Sequence, residues 1–589
     1  MPLRRRELLW LILLTLVVTS LNAIKPLRVD DTFFYLAARQ ISLHPLDPYG
    51  FELFWRQWPE PANWSLCPPV VPYWCAIGIK LFGDRPILWK LWMGPWVALF
   101  VFCLHRALRR FASGMEMPLT WMTALSPAFL PAVNLMTDVP AMALGLSALC
   151  VGLAAVDRRS VFLAVCGGII AGIAMETKYT AAVFPAMIFI YSLTHRRARL
   201  GCVPGIVATL LFCAWEAFDA HLYGTSQFLF VLGWNDLLWG KDPPSVLLPA
   251  VVTLIGGVGP AIGLLGLVAL DVSWIVFVTA SLAVAGGFAV ITAGPMAVEV
   301  FAILGAGVWI AVLLNLWALR RTWSADDWFL LIWLAIEIVA YAAISPFAAA
   351  RRVMGLVLVM TLVTGRLAGR REIAGRRPWK TSLVVAGGIM LGLGFYAVDF
   401  ADAQAQKNAV GRAAELIAPQ RRETVWFTGH WELQFYAGQM GYQQVVPDHS
   451  LLRRGDWLIY PEIKMSTQHI GIPADAIVQF GEIRIDDAVR LTAVNYYASI
   501  VPLEHRDGPR AWLGVYRITR DFVPPTTYSP QVLVMWAATR GRPLPEDSIT
   551  AVTAAVRRID PAAADRSRVE GDTEASVRRA ASEAAEKLH

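Results

Sequence analysis

Apolar runs of about 17–25 residues recur along the first 400 positions, and almost none carries a charge. Each is long enough to cross a hydrocarbon core of about 30 Å as a helix. No water is present there to satisfy a peptide group, so such a run forms the element that bonds its own backbone. The pattern predicts thirteen spans, at 8–24, 86–104, 119–135, 139–156, 161–175, 179–193, 202–220, 246–270, 272–293, 298–319, 328–345, 350–366 and 380–399. The runs at 161–175 and 179–193 are short, and also fit one bent hairpin that stops short of crossing.

Between the first two runs, residues 25–85 form a long loop that includes WRQWPEPANWSLCPPVVPYW. Its aromatic, proline-rich character predicts short helices lying on the membrane surface. A second long connection, 221–245, carries Trp234, Trp239 and Lys241. After residue 400 the pattern changes: TVWFTG (424–429), DWLIYP, AIVQFGEI and AWLGVYRI read as strands, and 405–418 as a helix. The expected architecture is a polytopic α-helical membrane domain over 1–400, a small extracytoplasmic α/β domain over 401–522, and a linker and tail over 523–589. The Ala/Arg/Glu-rich tail reads either as an exposed helix or as disordered chain.

Arginines orient the spans. Arg4, Arg5 and Arg6 precede the first run, and alternate connections hold Arg106, Arg109 and Arg110, then Arg158 and Arg159, Arg196, Arg197 and Arg199, Arg320 and Arg321, and a last cluster from Arg366 to Lys380, with only the loop near Asp271 silent. Basic residues collect in cytoplasmic loops, so the N-terminus is expected inside and, after thirteen spans, the C-terminal domain outside. The first run is expected to be retained rather than cleaved, because no convincing small-residue cleavage site follows it.

Composition agrees with this reading. The chain of 589 residues is 56% hydrophobic and 16% charged, against about 25% charged in soluble proteins. Its net charge of +7 reports orientation rather than nucleic-acid binding. Of seven cysteines, five lie in apolar runs, while Cys67 and Cys75 share the first outer loop and either pair or remain free thiols. Neither cysteine nor histidine spacing supports a zinc site.

Five places in the membrane part of the chain carry candidate chemistry, and the expected topology puts nearly all of them on the outer face. Asp30 and Asp31 follow the first span; a carboxylate there either caps the helix begun by DDTFFYLAAR or serves as a general base. Asp138, in NLMTDVP, either caps the next span or belongs to the same site. Glu176 and Lys178 lie in METKYTA, where Lys178 departs from the basic-inside pattern; it either pairs with Glu176 or meets a phosphate. Arg351 and Arg352, in SPFAAARRVMG, break the same rule, and arginine's planar fork suits phosphate. Glu337 lies within a span, where a basic group is its expected partner, and His430 at a strand–helix turn either packs or contacts substrate. Carboxylates suit a hydroxyl acceptor and the cations suit an anionic lipid headgroup. Ion transport instead predicts charge midway along spans, where this chain is almost clean.

VDDTFFYLAAR, MTDVPAM, ETKYTA and AAARRVMG, in this order and on a common face, resemble the GT-C superfamily of membrane glycosyltransferases. The likeness is to its protein O-mannosyltransferase and aminoarabinose transferase branch, over about residues 1–400. The resemblance implies a polyprenyl-phosphate-linked sugar as donor and inverting transfer to a lipid, glycan or protein acceptor. It implies Asp30 as general base, Asp138 as second acid, and Lys178 with Arg351 or Arg352 on the donor phosphate. The first motif is Asp-Asp where the family more often has Asp-Glu, which leaves open which carboxylate is the base. No cofactor is expected; a divalent metal is compatible with two carboxylates but is not the favoured reading. A transporter or lipid flippase is the alternative from another class, and a membrane subunit whose outer domain binds a partner is a third.

Overall fold

Among the described residues, seven helices are long and apolar enough to cross a membrane: Arg5–Ile24, Pro86–Phe111, Asp138–Arg158, Ala198–Tyr223, Val298–Thr322, Ala325–Ile344 and Thr381–Ile417. Val70–Phe82, Val161–Met175, Tyr179–Thr194 and Pro244–Gly257 are shorter apolar helices. The structure is a computed structural model describing residues 4–587 apart from 56, 65–67, 231, 233–241, 259–296, 346, 376–377, 421, 462–467, 540–543 and 545. The expected span 272–293, much of 246–270, Trp234, Trp239, Lys241 and Cys67 lie outside the described residues.

The helices used below are α1 (Arg5–Ile24), α2 (Asp31–Leu43), α3 (Val70–Phe82), α4 (Pro86–Trp92), α5 (Gly94–Phe111), α6 (Glu116–Ala124), α7 (Asp138–Arg158), α8 (Val161–Met175), α9 (Val183–Thr194) and α10 (Ala198–Tyr223). They continue with α11 (Pro244–Val258), α12 (Ala297–Leu319), α13 (Ala325–Ile344), α14 (Met354–Gly375), α15 (Pro378–Ile417) and α16 (Trp431–Gln439). The stretch 119–135 is helical only through Ala124. Beyond it Pro127 and Pro131 remove two backbone donors, and 125–137 runs as buried turns. Gly256 and Gly305 let α11 and α12 touch backbone to backbone: a Cβ on Gly256 would lie 1.8 Å from the Phe301 carbonyl oxygen.

The helices set up two chemically different ends. At one, Arg110 pairs with Asp157 at 2.6 Å, Arg366 and Arg370 both meet Asp327 at 2.6 Å, and Arg109 lies 3.7 Å from Glu7. At the other stand Asp30, Asp138, Lys178 and Arg351, because α7 starts at Asp138, α8 returns from the arginine end to Met175, and α14 starts just after Arg352.

Helix α15 does not stop where its apolar run ends. It continues for 40 residues in all, and Ala405, Ala409, Val410, Ala413 and Ile417 on its far half pack beneath a sheet. That sheet has the order β4-β3-β5-β9-β6, with β3 Val425–Phe427, β4 Gln443–Gln444, β5 Trp457–Pro461, β6 Ile477–Ile485 and β9 Ala511–Ile518. Strand β3 is parallel to β4 and β5, while β9 runs antiparallel to β5 and β6. Small pairs β1 (Glu52–Phe54) with β2 (Pro59–Pro61), and β7 (Leu491–Thr492) with β8 (Glu504–His505), complete the strands.

The tail folds as α17 (Pro530–Thr539), α18 (Glu546–Ile559), α19 (Pro561–Val569) and α20 (Glu574–Glu586). Leu533, Val534, Val552, Val556, Val577 and Ala581 form its core, and Trp58 of the first long loop is buried among them. Neighbouring Gln57 accepts from the His469 N–H and donates to its carbonyl, both at 2.7 Å. The first loop is therefore held by both C-terminal units.

Candidate functional site

Asp30 heads α2 without a side-chain capping bond. Its carboxylate is instead ion-paired with Arg351, in the 3-10 turn Ala350–Arg352 before α14. Asp138, the buried first residue of α7, accepts from Lys178 Nζ at 2.5 Å. Lys178 therefore pairs with Asp138 and not with Glu176. Burial pushes the Lys178 ammonium below its ordinary value; Asp138 opposes that shift and Arg351 reinforces it.

Arg352 is different. Its guanidinium lies 4.3 Å from the Phe347 ring centre, and it has no ion pair among the described residues. Its buried Nε has no hydrogen-bond partner. Lys178, Arg351 and Arg352 reach a cavity of about 320 Å³ whose remaining wall is largely apolar, from Phe184, Ile336 and Tyr341 among others. Glu337 also lines it and accepts from Trp333 Nε1 at 2.9 Å; the expected basic partner is not among the described contacts. Gly355 makes room for that carboxylate, since a Cβ there would lie 2.5 Å from Glu337 Oε2.

The two adjacent aspartates divide. Asp31 is fully buried and accepts from Arg28 N and Leu135 N, each at 2.9 Å, and from Lys90 at 3.1 Å. Three donors hold it, and at 0% exposure it has no access to an acceptor. The division follows from Val29, whose φ of 40° places a β-branched residue in the left-handed region. Such strain persists where the surroundings over-determine it. Here Val29 N donates to Glu432 Oε2 at 2.8 Å, and Arg28 is bound on both flanks.

Arg28 meets Glu432 at 2.6 Å and Asp399 and Asp402 at 3.3 Å, while Lys25 meets Asp399 at 2.8 Å. This network ties the start of the first loop to α15 and α16. A second tie comes from the 3-10 turn Val494–Tyr497, which packs against Ala350–Arg352. Tyr496 donates to the Ala128 carbonyl at 2.7 Å, and Asn134 donates to Tyr497 at 3.2 Å. Sequence reasoning missed Lys25, Arg28, Lys90, Glu432 and the tyrosines. A signal existed for two of them: Lys25 and Arg28 follow the first span on the side where basic residues are unexpected.

Glu176 and His430 stand apart. The Glu176 carboxylate is buried without a hydrogen-bond partner. Burial, then Glu216 and Asp219, push it up to about 9. His430 is buried with its ring 5.4 Å from Phe54, and belongs to the contact between α16 and the first loop. Among the described residues no three His, Cys, Asp or Glu side chains are grouped as a metal ion would need.

Residues 67–217 match the family model described as dolichyl-phosphate-mannose-protein mannosyltransferase. That stretch includes Asp138 and Lys178, while Asp30 and Arg351 lie outside it. Crystal structures of ArnT from Cupriavidus metallidurans, one bound to undecaprenyl phosphate and one in the apo state, are 15% and 14% identical to this chain. Both give a TM-score of 0.37 and cover 78% and 77% of this chain, and 93% and 92% of their own. No curated protein matches the chain in sequence. The family likeness is thus confined to residues 67–217, about a quarter of the chain, where it is to membrane mannosyltransferases that use a lipid-phosphate sugar.

Proposed function

We propose that this protein transfers a sugar from a polyprenyl-phosphate donor to a hydroxyl acceptor at the outer face of the membrane, with inversion at the anomeric carbon. The observation that carries this reading is the pairing of Asp30 with Arg351 beside the cavity reached by Arg352, which has no ion pair among the described residues. The donor phosphate lies against Arg352, Arg351 and Lys178, and the first isoprene units occupy the apolar wall. Phosphate binding gives Arg351 a second anion and loosens its hold on Asp30.

The acceptor oxygen then attacks the anomeric carbon from the side opposite the phosphate. The new C–O bond forms as the bond to the phosphate oxygen breaks, and that electron pair leaves with the phosphate. Asp30 takes the acceptor proton, and the cations stabilise charge as it develops on the phosphate. Asp138 holds Lys178 charged within the site. Buried Asp31, held by three donors, orients the loop. Its burial supports Asp30 rather than Asp31 as the base.

The test is transfer from a synthetic polyprenyl-phosphate sugar in nanodiscs, across a panel of hydroxyl acceptors. D30N is expected to keep its melting temperature and lose about 10²–10⁴-fold in turnover, the usual worth of a general base. D31N is expected to melt earlier. Full turnover by D30N would remove Asp30 from the mechanism. Sugar-lipid movement in proteoliposomes with no transfer from any donor would favour a flippase instead.

A further inference from the structure

The end of the bundle remote from this site carries a second cavity, of about 330 Å³, between α5 and α7. Arg106, Arg109, Arg110 and Arg158 line it together with Asp157. Four cations therefore face one carboxylate there, with Glu7 3.7 Å from Arg109. Leu153, Ala154 and Ala107 supply the apolar part of its lining.

Two of these arginines have structural work, Arg109 beside Glu7 and Arg110 on Asp157. Arg110 forks onto Asp157 at 2.6 and 3.3 Å and also donates to Tyr191. The exposed carbonyls at the end of α7 are taken by Arg197, which donates to Val156 and, at 2.9 Å, to Asp157. Capping therefore does not occupy Arg158. Arg106 and Arg158 are exposed and form no ion pair among the described residues. The orientation rule accounts for basic residues at this end. It does not account for two guanidinium groups, from two helices, that have no ion pair among the described residues and line one cavity beside apolar side chains.

We propose that this cavity binds the headgroup phosphate of an anionic phospholipid from the adjoining leaflet. Arg106 and Arg158 meet the phosphate oxygens, for which the guanidinium fork is suited. Leu153 and Ala154 meet the first methylenes of the lipid. Basic pockets between spans at the cytoplasmic side take anionic headgroups for the same reasons. Free inorganic phosphate satisfies the arginines but leaves the apolar wall uncovered.

The experiment uses the full chain in mild detergent, with lipid retention read by native mass spectrometry. Wild type is expected to retain dioleoyl phosphatidylglycerol at least fivefold more than dioleoyl phosphatidylcholine. R106Q/R158Q should lose that preference while melting normally in phosphatidylcholine. R158Q alone, expected to lose part of it, serves if the double variant does not fold. The melting temperature should rise with phosphatidylglycerol and not with equal sodium phosphate. Equal retention of the two lipids, or unchanged preference in the variants, would overturn the proposal. So would equal stabilisation by inorganic phosphate, which would leave a free-anion site.

Discussion

Glu432 holds Arg28 with one carboxylate oxygen at 2.6 Å and the N–H of Val29 with the other at 2.8 Å. A residue of the C-terminal domain thereby fixes the left-handed turn that separates Asp30 from Asp31. All three groups are buried, so little water screens the pair. Such a pair adds little net stability over an apolar replacement, but removing one partner strands the other charge. E432A is expected to cost about 3–5 kcal/mol. E432Q keeps the Val29 bond and should cost less. Both should lower turnover beyond their effect on stability, because Asp30 loses its fixed direction. Melting curves and turnover on the same preparations separate the two effects; E432A with normal turnover would dissociate this turn from the site.

Glu176 makes stability depend on pH. It is protonated in both states below its ordinary value of 4.5, and in the folded protein it stays protonated to about 9. Between those values the unfolded chain releases a proton that the folded chain keeps, so folding becomes less favourable as pH rises. E176Q removes this contribution, and its melting temperature should fall less than that of wild type between pH 5 and 9. The gap should be largest near pH 9 and amount to about several degrees. Parallel melting profiles for the two proteins would show that Glu176 ionises freely.

The charges that break a sequence rule are the ones that were legible. Lys178, Arg351 and Arg352 sit where the orientation pattern forbids basic residues, and the structure gathers them within one site. Lys25 and Arg28 break the same rule, yet their partners Asp399 and Glu432 are far along the chain, and periodicity carries no information about such pairing. The separation of Asp30 from Asp31 depends on one backbone angle at Val29, which no side-chain pattern encodes. The tail shows a similar limit. Its alanine-rich helices have weak apolar faces alone and become a core once stacked around Trp58.

Trp58 makes that last point testable. It fills the core of the tail bundle, with its ring 6.3 Å from that of Tyr528. W58A leaves a cavity and is expected to cost about 3–5 kcal/mol locally. The predicted outcome is faster proteolysis after residue 523 and within residues 50–64, with the membrane helices unchanged. Deleting residues 530–589 should expose the same first-loop sites. Protection of the loop in both variants would mean that the tail does not hold it.

Arg352 offers the sharpest separation of binding from chemistry. Asp30 engages Arg351 and Asp138 engages Lys178, so Arg352 is the cation at the cavity whose charge no described carboxylate pairs directly. A contact made equally in the ground state and the transition state changes KM, and one strengthened as the phosphate leaves changes kcat. R352Q is expected to raise KM for the polyprenyl-phosphate donor by about tenfold or more, corresponding to loss of a charge-assisted hydrogen bond. KM for the acceptor should hardly move. R352K keeps the charge but loses the planar fork and should fall between the two. R351Q, which also releases Asp30, should reduce kcat more than R352Q does. Equal effects of R352Q on donor and acceptor KM would place the phosphate elsewhere.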